Sequence, residues 1–219
     1  MNDALMQSRN WYKQTLAKKT LLSLKKNNMS GCYVETAEDA RQEVMRRIPV
    51  GSRVGYGGSL TLDQLGIKDL MRQGDYEFLD RQNPDLSEHE INILSRESLF
   101  ADVFLMSTNA LTTEGQLVNI DGIGNRVTAL IYGAAKVIVV AGINKIVSDL
   151  TAAVDRIKNT VAPIHARRGG RKLPCAKTGH CVDCHAPDRF CNALVVIEHQ
   201  YLKNKERINV VLVGEDLGL

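Results

Sequence analysis

"ALIYGAAKVIVVAGI", residues 129–143, decides the fold. It is the longest candidate for a membrane span, but Lys136 and two glycines break it, and a crossing helix needs about 20 consecutive apolar residues. It reads instead as the end of a helix followed by the buried strand "KVIVVAG" (136–142). A strand whose apolar run is continuous rather than alternating is covered on both faces. Such strands belong to largely parallel sheets sandwiched between helices.

The alternation extends in both directions. Upstream, "GCYVE" (31–35) is a short strand, and Thr36 caps the helix "AEDARQEVMRRI", which carries acids in its first turn, arginines in its last, and stops at Pro49. "SRVGYGGSLTLDQLGI" reads as a strand, a glycine-rich turn and a helix; "YEFLD" (76–80) is a strand, and a helix covers about 87–98. "ADVFLMST" (101–108) and "QLVNID" are strands, and "RVTALIYG" is a helix. "SDLTAAVDRIKNTVAPIHARR" is a helix capped by Ser148, and "RINVVLVGEDLGL" supplies a last strand. The expected fold is a Rossmann-like α/β three-layer sandwich whose mostly parallel sheet includes "RVGY", "VFLM", "LVNI", "VIVV" and "NVVLV". One domain is expected over residues 1–219, with an N-terminal helix at about 3–27 and a cysteine-rich insertion at about 174–192. That lysine-rich helix reads as a docking helix with the stripe Leu5, Trp11, Leu16, Leu21 and Leu24.

Composition narrows the function classes. With 44% hydrophobic residues in a chain of 219, disorder is excluded and a substantial core is expected. A net charge of +3, from 28 basic and 25 acidic residues, is too balanced to indicate nucleic-acid binding. "MNDALMQSRNWYKQTLAKKT" lacks the apolar core of a signal peptide, so a cytoplasmic protein with reduced cysteines is expected.

Two stretches suggest a ligand site. In "GYGGSLTLDQLG" (55–66) a strand enters a helix through glycines, so backbone can approach an anion at Gly57 and Gly58 while Ser59 and Thr61 add hydroxyls. It is neither a Walker motif nor a dinucleotide fingerprint, and a tight turn with Ser59 as N-cap is the plain alternative. In "STNALTTEGQLVNIDGIGNRV" (107–127), two strand ends bring Thr108, Asn109, Thr112, Asn119 and Asp121 to the carboxyl edge of the sheet, where parallel sheets bind ligands. Asn125 and Arg126 open the next helix beside them, and Arg126 is suited to bidentate capture of a carboxylate or phosphate. The alternative is a network that ties loops together.

These motifs, with "YGAAKVIVVAGINKIV" after them, resemble the lactate-utilisation (LUD) domain family, which includes lactate utilisation protein C. The likeness covers roughly residues 35–150 as three motifs in fixed order. It implies a place in bacterial oxidation of lactate to pyruvate, alongside iron–sulfur partner proteins. It also implies the fold of the ribose-5-phosphate isomerase and CoA-transferase superfamily. Where those isomerases carry an acid and then a lysine, the corresponding places here are Asn109 and Asn119, and an amide cannot abstract a proton from carbon. The nearby carboxylates left for base catalysis are Asp121 and, in the "TTEG" turn, Glu114.

"CAKTGHCVDCHAPDRFC" (175–191) places Cys175, Cys181, Cys184 and Cys191 within 17 positions. In a reducing compartment the stronger reading is a four-thiolate metal site, which suits a [4Fe–4S] cluster or zinc; the redox setting of the family favours the cluster. His180 and His185 lie in the loop as substitute ligands or plain loop residues, and Cys32 on its strand is a small hydrophobe. The preceding run "RRGGRK" (167–172) is either solvated or faces a cluster or an acidic partner.

Three functions fit the sequence. The first is a component of lactate oxidation that binds a small carboxylate and passes electrons through the cysteine site, either as an enzyme subunit or as an accessory. The second is an isomerase- or CoA-transferase-like enzyme acting on a small phosphorylated or CoA-linked acid, and the third is a ligand-sensing module with structural zinc.

Overall fold

The computed structural model describes residues 2–219. Its centre is a six-stranded sheet formed by β1 (Ser30–Val34), β2 (Arg53–Tyr56), β3 (Glu77–Phe78), β4 (Val103–Met106), β7 (Lys136–Gly142) and β10 (Ile208–Val213). The strands lie in the order β1-β10-β7-β4-β2-β3, and every pairing is parallel. Side chains alternate between two helix layers. Val137, Val139 and Ala141 of β7 face one core with Phe104, Met106, Val210 and Leu212, while Ile138 and Val140 face the other with Val103, Leu105, Val211 and Val213. The run "KVIVVAG" is thus a strand buried on both sides, and no helix among the described residues is long and apolar enough to cross a membrane.

One helix layer holds α2 (Ala37–Arg46), α3 (Leu60–Gln64) and α4 (Ile67–Gln73), whose Ala40, Val44, Leu62, Ile67 and Met71 are buried. The opposite layer holds α1 (Asn2–Lys26) and α6 (Asn125–Ile131), with Leu94 of α5 (Glu88–Glu97) packed against the same core. Only the second half of α1 docks. Ala17 and Leu24 are fully buried, whereas Leu5 and Trp11 of the expected stripe are 51% and 67% exposed, because the first turns run past the body of the domain.

The expected membership of "LVNI" in the central sheet is wrong. It lies in β6 (Leu117–Asp121), part of a second sheet ordered β8-β5-β6-β9 with β5 (Ala110–Thr112), β8 (Ile146–Val147) and β9 (Ala193–Ile197). A short turn joins β5 to β6, with Gly115 at φ +82° and its N–H bonded to Thr112 O at 2.9 Å. So short a link allows only antiparallel pairing, which is what forms. This sheet packs on α7 (Leu150–Arg156), which continues through a π-helical turn, Ile157–Val161, into α8 (Ala162–Arg168). Pro163, which has no N–H to donate, stands two residues past the end of the π turn. Asp149 rather than Ser148 caps α7, accepting from Ala152 N at 2.9 Å. The cysteine-rich segment opens with α9 (Cys175–Thr178), ended by Gly179 in the left-handed conformation.

Candidate functional site

The carboxyl ends of β2, β4, β7 and β10 open into one cleft of about 720 Å³. Its floor comes from the loops after these strands: Gly58 to Thr61, Ser107 to Asn109, Lys145, and Gly218 with Leu219. One wall is the bent helix from α7 to α8, which presents Ile157, Val161, His165 and Arg168. Those spacings keep to one helical face. The other wall is the turn after β6, with Asp121, Asn125 and Arg126.

Arg126 organises this wall. Its side chain is only 13% exposed, and its Nε pairs with Asp121 Oδ2 at 3.2 Å. Nη1 donates to Asn119 Oδ1 at 2.7 Å and Ser107 O at 3.2 Å, and Nη2 to Ile120 O at 2.9 Å and Asn109 Oδ1 at 3.2 Å. A guanidinium has five N–H donors. All five are spent on the protein, so the fork of Arg126 holds the ends of β4 and β6 together. Gly57 does not line the cleft; an added Cβ there would stand 3.1 Å from Arg126 Cγ, so the glycine makes room for the arginine stem.

The other expected site residues divide in the same way. Gly58, Ser59, Thr61, Thr108, Asn109, Asp121, Asn125 and Arg126 line the cleft, whereas Gly57, Asn119 and Glu114 do not. Glu114 is exposed in the β5–β6 turn, where its carbonyl accepts from Asn27 Nδ2 of the α1 side. Asp121 faces the cleft with both carboxylate oxygens engaged, Oδ1 accepting from Gly124 N at 3.0 Å. Thr108 Oγ1 is turned to Ala110 O and Val118 O, and Ser59 Oγ caps α3 by accepting from Leu62 N. With five residues, α3 is a weak source of helix dipole.

Lys145 is the residue sequence reasoning passed over. It is 4% exposed, and its Nζ donates to Thr61 Oγ1 at 2.9 Å, Ser107 Oγ at 2.9 Å and Thr108 O at 3.3 Å. Burial, with Arg156 and Arg126 repelling it, pulls its pKa down to about 7. The available signal was a lone lysine inside the apolar run "GINKIV", just past a strand's carboxyl end.

The cleft is electropositive: six basic side chains line it against three aspartates. Asp121 is matched by Arg126, and Asp63 by Lys68 at 2.9 Å. Among the described residues, Arg81, Arg168, Arg171 and Lys145 have no carboxylate partner. Arg81 uses Nε on Tyr56 O and Nη1 on Ser95 Oγ, which leaves Nη2 for a ligand. Two residues of the run "RRGGRK", Arg168 and Arg171, reach this cleft, and burial together with these arginines holds His165 below the ordinary imidazole range.

Cys175, Cys181, Cys184 and Cys191 surround one small enclosed cavity that shares Ala162, Arg189 and Phe190 with the cleft. All four are free thiols, half-buried. Desolvation raises the Cys175 thiol pKa, and the other three cysteines raise it further. Arg189 donates to Cys184 O at 2.7 Å and Cys191 O at 3.1 Å, Cys181 N donates to Asn159 of the π turn, and Asp183 N donates to Cys181 Sγ at 3.4 Å. Among the described residues, no three His, Cys, Asp or Glu side chains already converge on a single-ion geometry. The four thiols line one small void.

The fold and cleft define a parallel α/β sandwich with a basic pocket at the carboxyl edge of its sheet. The sequence model of the LUD domain matches residues 17–213, and the chain belongs to that family. A crystal structure of a DUF162 family protein from Deinococcus radiodurans is similar in fold, with a TM-score of 0.53 and 15% identity over 92% of this chain and 98% of that one. No curated protein matches the chain.

Proposed function

We propose that the protein is a component of lactate utilisation whose cleft binds a small carboxylate of the lactate and pyruvate class, beside a metal centre held by Cys175, Cys181, Cys184 and Cys191. The observation that carries the reading is a cluster of cations with no carboxylate partner among the described residues, Arg81, Arg168 and Arg171 around one cleft, with its buried aspartate already neutralised. Such a wall attracts an anion, and Arg81 Nη2 is the inward-facing donor left to fix it. Membership of the LUD family supports lactate and pyruvate as the class of acid. Asp121, committed to Arg126, serves as a second carboxylate that orders the wall rather than as a free base. The cysteine loop shares residues with the cleft, so a [4Fe–4S] cluster there would supply one-electron transfer next to the bound acid, towards iron–sulfur partner proteins. Zinc in the same place would act as a brace.

Calorimetric titration of protein purified without oxygen tests the cleft. Pyruvate and L-lactate should each bind saturably, and Arg81→Met should weaken binding at least about tenfold, since a charge-assisted hydrogen bond is worth about 1.5–3 kcal/mol. Absence of saturable binding by folded protein would remove the reading. Iron and acid-labile sulfide should accompany the wild type and be lost with Cys184→Ser; zinc alone would keep the site and remove the electron path.

A further inference from the structure

The amine of Lys145 has a use that anion binding does not exhaust. It sits at the end of a 3-10 turn, Ile143–Lys145, directly after the central strand β7, and reaches the cleft floor between the loops that follow β2 and β4. No carboxylate partners it among the described residues, and the charges facing it, Arg126 from α6 and Arg156 from α7, are of its own sign. Two of its three partners are hydroxyls, Thr61 Oγ1 and Ser107 Oγ, which can donate as well as accept. The amine can therefore lose a proton without leaving a buried acceptor stranded. Gly218, at φ +68°, passes beside it, and a Cβ at that position would stand 3.0 Å from Nζ.

We propose that Lys145 is a nucleophilic amine that condenses with the carbonyl of a 2-oxo acid bound in the cleft. The proposal rests on the carboxylate-binding reading and deepens it by separating 2-oxo from 2-hydroxy acids. The lone pair of neutral Nζ attacks the carbonyl carbon, forming a C–N bond as the C=O π pair moves to oxygen. A proton passes from nitrogen to that oxygen through the Ser107 or Thr61 hydroxyl. The carbinolamine then loses water and the C=N bond forms. One water leaves, nothing is oxidised or reduced, and hydrolysis reverses the step. With its pKa drawn down to about 7, the amine is neutral in a substantial fraction of molecules near that pH, and the neutral form is the one this attack requires. A 2-hydroxy acid fits the same cations but has no carbonyl to trap.

The test is borohydride reduction of the protein with pyruvate, followed by intact mass and peptide mapping. One reduced pyruvyl unit should appear on the peptide containing Lys145, with no adduct when L-lactate replaces pyruvate. Mapping the wild type does not depend on any variant folding; Lys145→Arg, if folded, should give no adduct at that site. Saturable pyruvate binding without an adduct at Lys145, or labelling spread over surface lysines, would overturn this proposal while leaving the cleft reading intact. Absence of pyruvate binding by folded protein would overturn both.

Discussion

Replacing Lys145 with methionine isolates the cost of burying its charge. The amine's pKa falls from 10.5 to about 7 in the folded protein, so between those values the unfolded chain binds a proton that the native state does not. Stability therefore rises as pH increases through that window, and the protonated amine imposes its full penalty below about pH 7, at most about 5 kcal/mol for a shift of this size. The methionine variant has no such term. It also leaves Thr61, Ser107 and Thr108 without their donor, a loss that does not change with pH. Urea unfolding of both proteins at a series of pH values separates the two effects. From about pH 7.5 to about 9.5 the stability of the wild type should rise relative to the variant by about 1.4 kcal/mol per unit, or roughly 3 kcal/mol in all. Other groups whose pKa changes on folding, such as Cys32, Tyr33 and Cys175, are common to both proteins and cancel. Parallel curves would show that the amine keeps its ordinary pKa, and would refute both its burial as a charge and its readiness to react.

Arg126→Met should destabilise the fold by about 3–5 kcal/mol, because it leaves Asp121 as an unpaired buried carboxylate, and adding Asp121→Asn should recover part of the loss in thermal unfolding. Gly218→Ala strains a positive φ and drives a methyl group against Thr61 Oγ1 and Lys145 Nζ, so pyruvate trapping should fall while the secondary structure seen by circular dichroism persists. The Arg46 guanidinium, with Arg47 behind it, holds the Glu43 carboxyl pKa at about 2 instead of 4.5. Its contribution to stability is complete above 4.5 and lost as pH falls towards 2, so Glu43→Gln should flatten the acid limb of the stability profile.

The central sheet was legible because β4, β7 and β10 carry continuous rather than alternating apolar runs, a pattern that requires cover on both faces. The partner of β6 was not, since its apolar content is the same and only the length of the turn before it dictates antiparallel pairing in a second sheet. Of the polar stretch 107–127, Thr108, Asn109, Asp121, Asn125 and Arg126 come to the cleft while Thr112, Glu114 and Asn119 do not, and residue types do not reveal which donors are already used. Arg126 looks like a ligand clamp in sequence and is a fastening in the fold. Arg81, which keeps Nη2 free, comes from a segment with no motif, and Lys145 stood inside a quoted motif as a single charge among apolar residues. Lys145 owes its burial to three loops distant in sequence, those at Thr61, Ser107 and Gly218. That the four cysteines would lie near one another was legible because 17 residues of chain leave them little freedom to separate.

A crystal structure of protein purified without oxygen and soaked in pyruvate addresses the central claim most directly. It should place the carboxylate within hydrogen-bonding distance of Arg81 Nη2, with the carbonyl carbon turned towards Lys145 Nζ. A fully occupied pyruvate bound elsewhere, with only solvent between Arg81 and Lys145, would contradict it.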